Sequence, residues 1–533
     1  MKFIILLTIA ATLGFQQFLQ AQNGENQLIA KKLEPEAEEY FRIGEYSNAL
    51  KLYTSLDSLV PDTPEYLYRI GLCHLNSTQK SKSIDYLERV MNAPELPDEY
   101  SYYLGRAYHL NHYFTKALVH YQSYRIMLRY GRGSEAEIAE IERLIQMCNN
   151  GQDLIFRPIR AKVINLGPLV NTIYADYAPV ITSDEETMIF TSKRGDSTIN
   201  KIDPSTGQFY EDIYQMHKKN GKWQKPEKIK SLVNTQEHDA TVGLSPNGDQ
   251  LLIYRGNNDS FVARISGDLY YSKKQDNNWS PPLPFGKNIN TRAWEPSASI
   301  SGDGQLLFFT SDRDEGYGGR DIYVAHKLAD GSWGNVENLG PLINTPNDED
   351  APFIHPDGKR LYFSSTGHQS MGGFDVFVSE WNAEKKRWRK AYNVGYPVNT
   401  ADDDIYFVWS EDGKRAYFSS KREDGFGDSD LYMMVLEDGI ENQVAVSGFV
   451  KDDKTLKPLG AEITVRKQND NSLLGAYEAK YDDGRFRFFV ETGSVYDITV
   501  NTEGYEGFNM QIEVNQQEDL DRQMQEIYLT RLN

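Results

Sequence analysis

Two hydrophobic patterns divide this chain. Between about residues 30 and 131, small residues recur at intervals of 34, as Ala49, Ser83 and Ala117 show, and aromatic residues surround them. Such a period is typical of stacked helix pairs, because a small residue lets two helices approach closely. From Asn165 onward, short runs of alternating apolar and polar residues end at Gly, Asn or Asp, which predicts β-strands joined by tight turns.

The helical pattern consists of three units. Gly71 and Gly105 also lie 34 residues apart, and Leu104 and Tyr108 flank the second of these glycines. These residues resemble the tetratricopeptide repeat, which implies an all-α solenoid whose concave surface holds a peptide or a protein. The predicted helical-repeat domain covers residues 28–150. A plain helical spacer is the alternative interpretation.

One β pattern occurs five times between Asn165 and Leu436. Each copy contains an Asn-Thr dipeptide, a short apolar strand, a tight turn, an aromatic strand and a third strand that opens with Asp. In four copies the turn ends in Asn-Gly or Asp-Gly, which supply the positive φ angles of tight hairpins. The five dipeptides begin at Asn171, Asn234, Asn290, Asn344 and Asn399.

These β repeats resemble the WD-repeat-like blades of TolB-type β-propellers. The resemblance implies an all-β propeller of five four-stranded blades, with six blades as the alternative, and the predicted propeller domain covers residues 153–438. The fifth copy stops at Leu436 without its last strand, whereas Ala161–Gly167, which precedes the first copy, looks like that strand. We therefore expect the upstream segment to complete the last blade, which would remove an open sheet edge.

An acidic residue stands just before the innermost strand of each predicted blade. Such residues could form a ring of like charge at one end of the central channel and attract cations or a basic peptide. Alternatively, each carboxylate accepts hydrogen bonds from the turn of a neighbouring blade and holds the repeat together. The candidate ring consists of Asp176, Asp239, Glu295, Asp350 and Asp404. Arg194, Arg313 and Arg422 follow the second strands and are candidate partners for these carboxylates.

Alternating strands continue in the last part of the chain, residues 443–533. Ala461–Val465 alternates with a period of two, and Gly484 ends a turn before Arg485–Phe488. This pattern predicts a small antiparallel β-sandwich. Together with Tyr505, which follows a glycine, these landmarks resemble the carboxypeptidase-regulatory-like domain. That resemblance implies stabilisation or contact rather than peptidase chemistry.

The N-terminus carries a targeting pattern. Lys2 precedes an apolar run from Phe3 to Phe15, and the small residue Ala21 follows a polar stretch. A basic start, a short apolar core and a small residue before the cleavage site are typical of a secretory signal peptide, here residues 1–21. An uncleaved N-terminal anchor is the alternative. We therefore expect an exported protein.

Composition and charge exclude several classes of protein. Asp and Glu total 77 against 57 Lys and Arg, and the net charge of −20 disfavours nucleic acid and anionic membrane surfaces as partners. The chain has only 2 cysteines, Cys73 and Cys148, which excludes a disulfide scaffold, a four-cysteine zinc site and an iron–sulfur cluster. Because they lie in separate helical segments, we expect two buried thiols. The sequence predicts no cofactor and no metal site.

The sequence contains no familiar catalytic motif. His-Glu-x-x-His, Gly-x-Ser-x-Gly, a Walker loop and a dinucleotide fingerprint are all absent. Gly243–Asn247 comes closest to the second of these motifs and lacks its final glycine. Propellers can carry catalysis on their loops, so a loop-borne hydrolase site stays an alternative. We predict that the protein is not an enzyme and has no catalytic residues.

The three predicted modules are all interaction architectures. Their combination resembles periplasmic accessory proteins of the type IX secretion and gliding machinery, in which an OmpA-like peptidoglycan-binding domain follows such modules. Here the sequence ends at Asn533 after the predicted sandwich, and no cysteine near the predicted cleavage site could carry a lipid. The resemblance implies a periplasmic or outer-membrane-associated protein of a Gram-negative bacterium that only its partners retain in the envelope.

The leading hypothesis is a non-enzymatic scaffold for protein–protein interactions. The helical groove and one propeller face would each hold another envelope protein or peptide, and membrane contact would be indirect. The alternative is a glycan- or ligand-binding propeller, because the loop residues Trp294 and Tyr317 could stack on sugar rings. Ordinary packing is the other interpretation of these two aromatic residues.

Overall fold

The computed structural model describes most of the chain. The described residues are 24–131, 133–195, 202, 208–230, 232–256, 267–276, 278–436, 443–469, 471–481, 484–491, 493–514 and 525–532. The predicted signal peptide, residues 1–21, lies outside them. The chain divides into two compact units: the first contains the chain up to Asn111 together with Lys116–Ser134, and the second contains His112–Thr115 together with Glu135–Asn533.

Helices that follow the 34-residue period build the first unit. They are α1 (residues 24–42), α2 (Tyr46–Leu59), α3 (Pro64–Leu75), α4 (Lys82–Arg89), α5 (Tyr100–Leu110) and α6 (Phe114–Tyr130), whose first two residues belong to the second unit. Small residues lie where helices meet: a Cβ on Gly71 would lie 2.8 Å from Leu87 Cγ, and one on Gly105 would lie 2.7 Å from the ring of Tyr121. The period therefore corresponds to close helix contacts.

The second unit contains one long helix, α7 (Glu135–Phe156), before its sheets. Cys148 on α7 and Cys73 on α3 are both buried, as expected. None of the helices in the described ranges is long and apolar enough to cross a membrane. After α7, the chain forms β1 (Ala161–Asn165) and then enters a series of antiparallel sheets.

The first three of these sheets have the same strand order. Blade I contains β2 (Asp176–Ile181), β3 (Thr187–Ser192), β4 (Asp212–Lys219) and β5 (Lys222–Trp223), and β6 (Glu227–Lys228) also pairs with β4. Blade II contains β7 (Asp239–Leu244), β8 (Gln250–Gly256), β9 (Gly267–Gln275) and β10 (Asn278–Trp279), and β11 (Leu283–Pro284) also pairs with β9. Blade III contains β12 (Ala298–Ile300), β13 (Leu306–Ser311), β14 (Asp321–Lys327) and β15 (Trp333–Asn338).

Two further blades close the ring. Blade IV contains β16 (Glu349–Ile354), β17 (Arg360–Ser365), β18 (Asp375–Asn382) and β19 (Arg387–Trp388), and β20 (Tyr392–Asn393) also pairs with β18. Blade V contains β21 (Asp404–Trp409), β22 (Arg415–Ser420), β23 (Asp430–Leu436) and β1. β1 pairs antiparallel with β23, with Ile164 opposite Met433, which confirms the predicted closure. The innermost strands contact one another in sequence, and β21 contacts β2, so the sheets form a five-bladed β-propeller.

Aromatic residues of the second strands fill the spaces between blades. Phe309 on β13 packs with Leu252 of blade II, whereas the adjacent Phe308 packs with Trp388 of blade IV. Neighbouring side chains of a strand point to opposite faces of the sheet, so one aromatic pair serves two interfaces. The ring centres of Phe308 and Trp388 lie 6.0 Å apart in an edge-on contact.

The chain ends in two sheets that share one core. One contains β24 (Gln443–Asp452), β27 (Arg485–Glu491) and β30 (Gln525–Leu529), and the other contains β25 (Ala461–Lys467), β26 (Leu473–Ala479), β28 (Ser494–Asn501) and β29 (Phe508–Val514). Val450, Ile463 and Phe486 meet in the shared core. β24 and β30 pair in parallel, which departs from the predicted antiparallel pattern. The second sheet lies between them in the chain, and this long connection permits a parallel pair.

Candidate functional site

The repeated Asn ties each blade to the blade before it. Asn344 Oδ1 accepts the backbone N–H of Ile322 at 2.8 Å, and Asn344 Nδ2 donates to the carbonyl of Ile322 at 3.0 Å. The amide thus serves the third strand of the preceding blade as both donor and acceptor. The equivalent pairs are Asn171–Leu431, Asn234–Ile213, Asn290–Leu269 and Asn399–Val376.

The repeated Thr holds most of the predicted ring carboxylates inside their blades. Thr400 donates from its backbone N–H and from Oγ1 to Asp404 Oδ2, at 2.6 and 2.8 Å. The equivalent pairs are Thr172–Asp176, Thr235–Asp239 and Thr291–Glu295. All four of these carboxylate side chains are 0% exposed. They present no ring of exposed charge, and each is bound by the turn of its own blade rather than by a neighbouring blade.

The structure corrects the predicted ring in blade IV. Thr345 holds Glu349 rather than Asp350, through its backbone N–H and its Oγ1, each at 2.7 Å. Three acidic residues, Asp348, Glu349 and Asp350, are consecutive here, and only the spacing from the repeated Asn identifies Glu349 as the equivalent position. Asp350 is 2% exposed and accepts hydrogen bonds from Ser297 Oγ and from Arg320 instead.

Arginines pair with the buried carboxylates of four blades. The predicted pairs are confirmed: Arg194–Asp176 at 2.6 Å, Arg313–Glu295 at 3.5 Å and Arg422–Asp404 at 3.0 Å. Sequence reasoning missed Arg255, which binds Asp239 at 2.8 Å, because it lies earlier in its blade than the other arginines do. Burial raises the pKa of Asp404 to about 6 although Arg422 lowers it. These repeated groups are therefore structural.

Residues that differ between the blades meet at the channel end that carries the Asn-Thr loops. They lie beside the repeated acids, before the third strands or on a second strand, and together they come from all five blades. We call this group the axial cluster. Its members are Tyr177, Glu211, His238, Tyr254, Trp294, Arg320, Asp350, Phe374 and Tyr406.

Glu211 connects one side of the axial cluster. Tyr177 donates its hydroxyl to Glu211 Oε1 at 3.0 Å, and His238 Nδ1 contacts Glu211 Oε2. Lys193 Nζ lies 3.9 Å from Glu211 Oε1. Burial raises the pKa of Glu211, but the bond from His238 and the charge of Lys193 outweigh burial and lower the pKa overall. Glu211 is therefore ionised at neutral pH.

Arg320 connects the other side of the axial cluster. Its guanidinium carbon lies 4.9 Å from the ring centre of Trp294 and 5.3 Å from that of Phe374. It also pairs with Asp350 and, at 3.3 Å, with Asp348. A planar guanidinium can stack on rings while its N–H groups bind carboxylates, so arginine suits this position better than lysine.

Tyr406 lies at the centre of the axial cluster. Its backbone φ is +61°, at a β-bulge between Ile405 and Val408, and its ring centre lies 5.9 Å from that of Tyr177. Burial, and then the charge of Asp350, raise the pKa of Tyr406 above its usual range. Groups of the other four blades act on its hydroxyl: Glu211, Tyr254, Arg320 and Asp350. The hydroxyl of Tyr406 therefore lies within electrostatic range of groups from the other four blades.

The channel beside Tyr406 is nearly filled. A cavity of about 50 Å³ lies between the innermost strands, and its walls include Pro179, Gly243, Phe353 and Trp409. A buried water molecule needs roughly 10–15 Å³ of such space, and pockets for small ligands commonly measure about 300–1,000 Å³. The cavity has room for a few water molecules and is too small for a sugar ring.

The two predicted loop aromatics have different surroundings. Trp294 belongs to the axial cluster, where its indole N–H donates to the hydroxyl of Tyr254 at 3.2 Å. Tyr317 is 51% exposed and is not a member of the cluster. The structure thus brings Trp294 and Asp350 together, through Arg320, and leaves Tyr317 apart from them.

Sequence reasoning missed most of the axial cluster, including Tyr177, Glu211 and Tyr406. The available signal was their departure from the repeat directly beside the repeated positions. Within the described ranges, no group of three or more His, Cys, Asp and Glu side chains could hold a metal ion. The axial cluster consists of polar, charged and aromatic side chains.

Comparisons with known proteins assign no family. No family model matches the chain, and no curated protein matches it. Solved structures match weakly: a complex of BT0996 with RGII has 8% identity and a TM-score of 0.35 over 55% of this protein and 95% of the other. The periplasmic gluconolactonase of Pseudomonas aeruginosa has 14% identity and a TM-score of 0.25 over 64% of this protein and 97% of the other. An α-L-arabinofuranosidase from Lactobacillus brevis has 12% identity and a TM-score of 0.31 over 50% of this protein and 91% of the other. Such likenesses carry no argument about activity, and the propeller assignment depends on the strand pairing.

Proposed function

We propose that this protein is a non-enzymatic interaction protein of the bacterial envelope, whose propeller binds a partner protein across the axial cluster. One observation carries the proposal. Side chains from all five blades converge at one end of a channel whose cavity is too small for a ligand of the size of a sugar. A partner would therefore lie across the cluster rather than enter the channel.

The chemistry of the axial cluster favours a protein partner. Tyr, Trp and Arg are the residue types that contribute most to protein–protein binding, and they do so where they are packed and partly desolvated. Tyr177, Trp294 and Tyr406 are half-buried, and Arg320 is held by two aromatic rings. The surface is thus already ordered before a partner binds, which lowers the entropic cost of binding.

The other parts of the chain support a scaffold role. The helix pairs with a period of 34 resemble tetratricopeptide repeats, and the last two sheets resemble a carboxypeptidase-regulatory-like domain. The pattern of residues 1–21 supports export. We therefore propose a periplasmic or outer-membrane-associated scaffold, in a machinery similar to type IX secretion, that holds a second partner in the helical groove.

Photocrosslinking in the native bacterium tests the proposed binding face. A photoreactive residue replaces Arg292, an exposed residue of the Asn-Thr loop in blade III, or Asp330, an exposed residue at the opposite end of that blade. We expect a defined protein adduct from position 292 and none from position 330. Adding Trp294→Ala to the 292 variant should abolish the adduct. Equal adducts from both positions would contradict the proposal.

A glycan-binding function is the second candidate. The half-buried ring of Trp294 lies close to Arg320 and Asp350, and such a combination of a ring and polar groups can bind a sugar at a surface. A glycan array with the wild-type protein and with Trp294→Ala tests this. Binding that disappears in the variant would support it, and a blank array would remove it.

A further inference from the structure

Blade IV lacks the arginine that the other four blades place beside the repeated carboxylate. No Lys, Arg or His side chain of the described chain forms an ion pair with Glu349, which is 0% exposed. Gly367 stands where Arg194 stands in blade I and Arg422 stands in blade V. One buried carboxyl of the five therefore has no positive partner.

Neighbouring atoms fill the space that the guanidinium occupies elsewhere. In blade V, Arg422 Nη2 also donates to the carbonyl of Val398 at 2.6 Å, and in blade IV His368 Nε2 takes the equivalent contact with Ile343 O at 2.7 Å. A Cβ on Gly367 would lie only 2.2 Å from Thr345 Oγ1. The loop is packed directly on the Asn-Thr turn, which leaves no room for a cation beside Glu349.

A proton can neutralise Glu349 where no cation fits. The carboxyl accepts the backbone N–H of Thr345 and contacts the hydroxyls of Thr345 and Ser365, each at 2.7 Å, and in the neutral form one of these hydroxyls can accept its proton. Burial raises the pKa of Glu349 to about 8 against these bonds, and the charge of Asp321 on the adjacent blade adds to the rise. Glu349 is therefore mostly neutral at pH 7.

Hydrogen bonds lead from Glu349 to the contact between the propeller and α7. Ser365, which donates to Glu349, accepts the backbone N–H of Gly367 at 2.9 Å. In the same β17–β18 loop, the carbonyl of Ser370 accepts from Asn150 Nδ2 on α7 at 2.8 Å. The carbonyl of Thr366 accepts from Arg143 Nη1 on α7 at 3.5 Å. The loop that replaces the arginine is thus also the loop on which α7 rests.

We propose that Glu349 is a pH-sensitive switch: its neutral form holds the β17–β18 loop against α7, and its ionised form releases that loop. An ionised Glu349 would be a buried charge beside Asp321 without a cation, and the loop can relieve that cost by opening to water. The proposal does not depend on the proposed partner, because the opening of the loop can be measured in this protein alone.

Other charged and titratable groups lie around Glu349 and along the β17–β18 loop. Asp321 lies on the adjacent blade, and Asp348 is paired with Arg320. Burial lowers the pKa of His368, so its ring is neutral from pH 6.5 upward. On α7, Arg143 is paired with Glu140. Asp375, at the end of the same loop, accepts the backbone N–H of Met371, and burial raises its pKa as well. Glu349→Gln therefore serves to separate the ionisation of Glu349 from that of Asp375.

Hydrogen exchange of the full-length protein tests the switch. We compare wild type, Glu349→Gln, which mimics the neutral carboxyl, and Glu295→Gln, a matched change in blade III where Arg313 supplies the cation. After correction for the chemical exchange rate, the opening constant of residues 366–370 should rise about 15-fold from pH 6.5 to 8 in wild type, because one proton is lost on opening and half of the closed-state carboxyls are already ionised at pH 8. α7 peptides that contact the loop should follow.

The two variants have opposite expected results. The opening constant should be independent of pH in Glu349→Gln and should keep the wild-type slope in Glu295→Gln. If the opening constant depends on pH equally in wild type and in Glu349→Gln, the proposal is overturned. If Glu349→Gln does not fold, wild type alone decides: a rise that levels off above about pH 8 supports the switch, and a flat profile from pH 6.5 to 8 overturns it.

Discussion

The guanidinium of Arg320 lies over the ring of Trp294, 4.9 Å from its centre. Both residues belong to blade III, and the same guanidinium pairs with Asp350 of blade IV. One side chain therefore combines a stacking contact within a blade with an ion pair between blades. This contact orders the aromatic part of the axial cluster, which we propose as the partner surface.

Arg320→Lys should weaken this arrangement while keeping its charge. Lysine has no planar guanidinium to stack on the rings of Trp294 and Phe374, so we expect the free energy of unfolding to fall by about 1–2 kcal/mol. Urea denaturation of the full-length protein measures it. Arg292→Lys, an exposed change in the same blade, is the control and should alter stability by less than about 0.5 kcal/mol. If Arg320→Lys and Arg292→Lys lower the free energy of unfolding equally, the stacking of Arg320 on the rings does not contribute to stability.

Asn344→Asp should destabilise the contact between blades III and IV. The change removes the Nδ2 donor to the carbonyl of Ile322 and puts a carboxylate at a position that is 1% exposed. A buried charge beside an unpaired carbonyl should cost about 3 kcal/mol or more. Thermal unfolding of the full-length chain measures the loss. Asn347→Asp, at a half-buried position three residues away, should cost less than about 1 kcal/mol.

The sequence predicted the propeller well because local patterns of turn, apolar and aromatic residues repeat in each blade. The comparison of Ala161–Gly167 with later fourth strands identified the closing strand, and β1 pairs with β23 accordingly. The spacing from the repeated Asn identifies the equivalent acid in every blade, including Glu349 in blade IV. The prediction of Asp350 followed its place before the innermost strand and overlooked this spacing.

The axial cluster could not be predicted in the same way. Its members share no residue type and no spacing, and ring closure brings together residues as distant in sequence as Tyr177 and Tyr406. The parallel pairing of β24 with β30 escaped prediction for a similar reason. Alternation specifies that a segment is a strand and which face is buried, but it does not specify the neighbouring strand.

Two substitutions of Tyr406 separate the contribution of its ring to stability from that of its backbone φ angle. Tyr406→Phe keeps the ring beside Tyr177 and should change stability by less than about 1 kcal/mol. Tyr406→Val places a β-branched residue at φ +61° and enlarges the adjacent cavity, so it should cost about 3 kcal/mol or more. Urea denaturation compares them. Similar losses in the two variants would show that neither the φ angle nor the ring matters here.

The raised pKa of Glu478 should give the stability of the protein a second dependence on pH. On β26 its carboxylate accepts the backbone N–H of Thr115 at 3.2 Å and Thr115 Oγ1 at 3.0 Å. Burial raises its pKa from 4.5 to about 7. Because the folded state binds the proton more tightly than the unfolded state, the stabilisation is present below pH 4.5 and is lost as the pH rises to about 7.

Glu478→Gln should therefore flatten the pH profile of unfolding. Between pH 4.5 and 7, the free energy of unfolding of wild type should fall by about 1–2 kcal/mol more than that of the variant, a value reduced because the residue is only half-buried. Urea denaturation at several pH values measures this difference. Glu513→Gln, an exposed change on β29, should keep the wild-type profile. If the Glu478→Gln profile runs parallel to that of wild type, Glu478 does not hold the proton, because a neutral amide has none to lose.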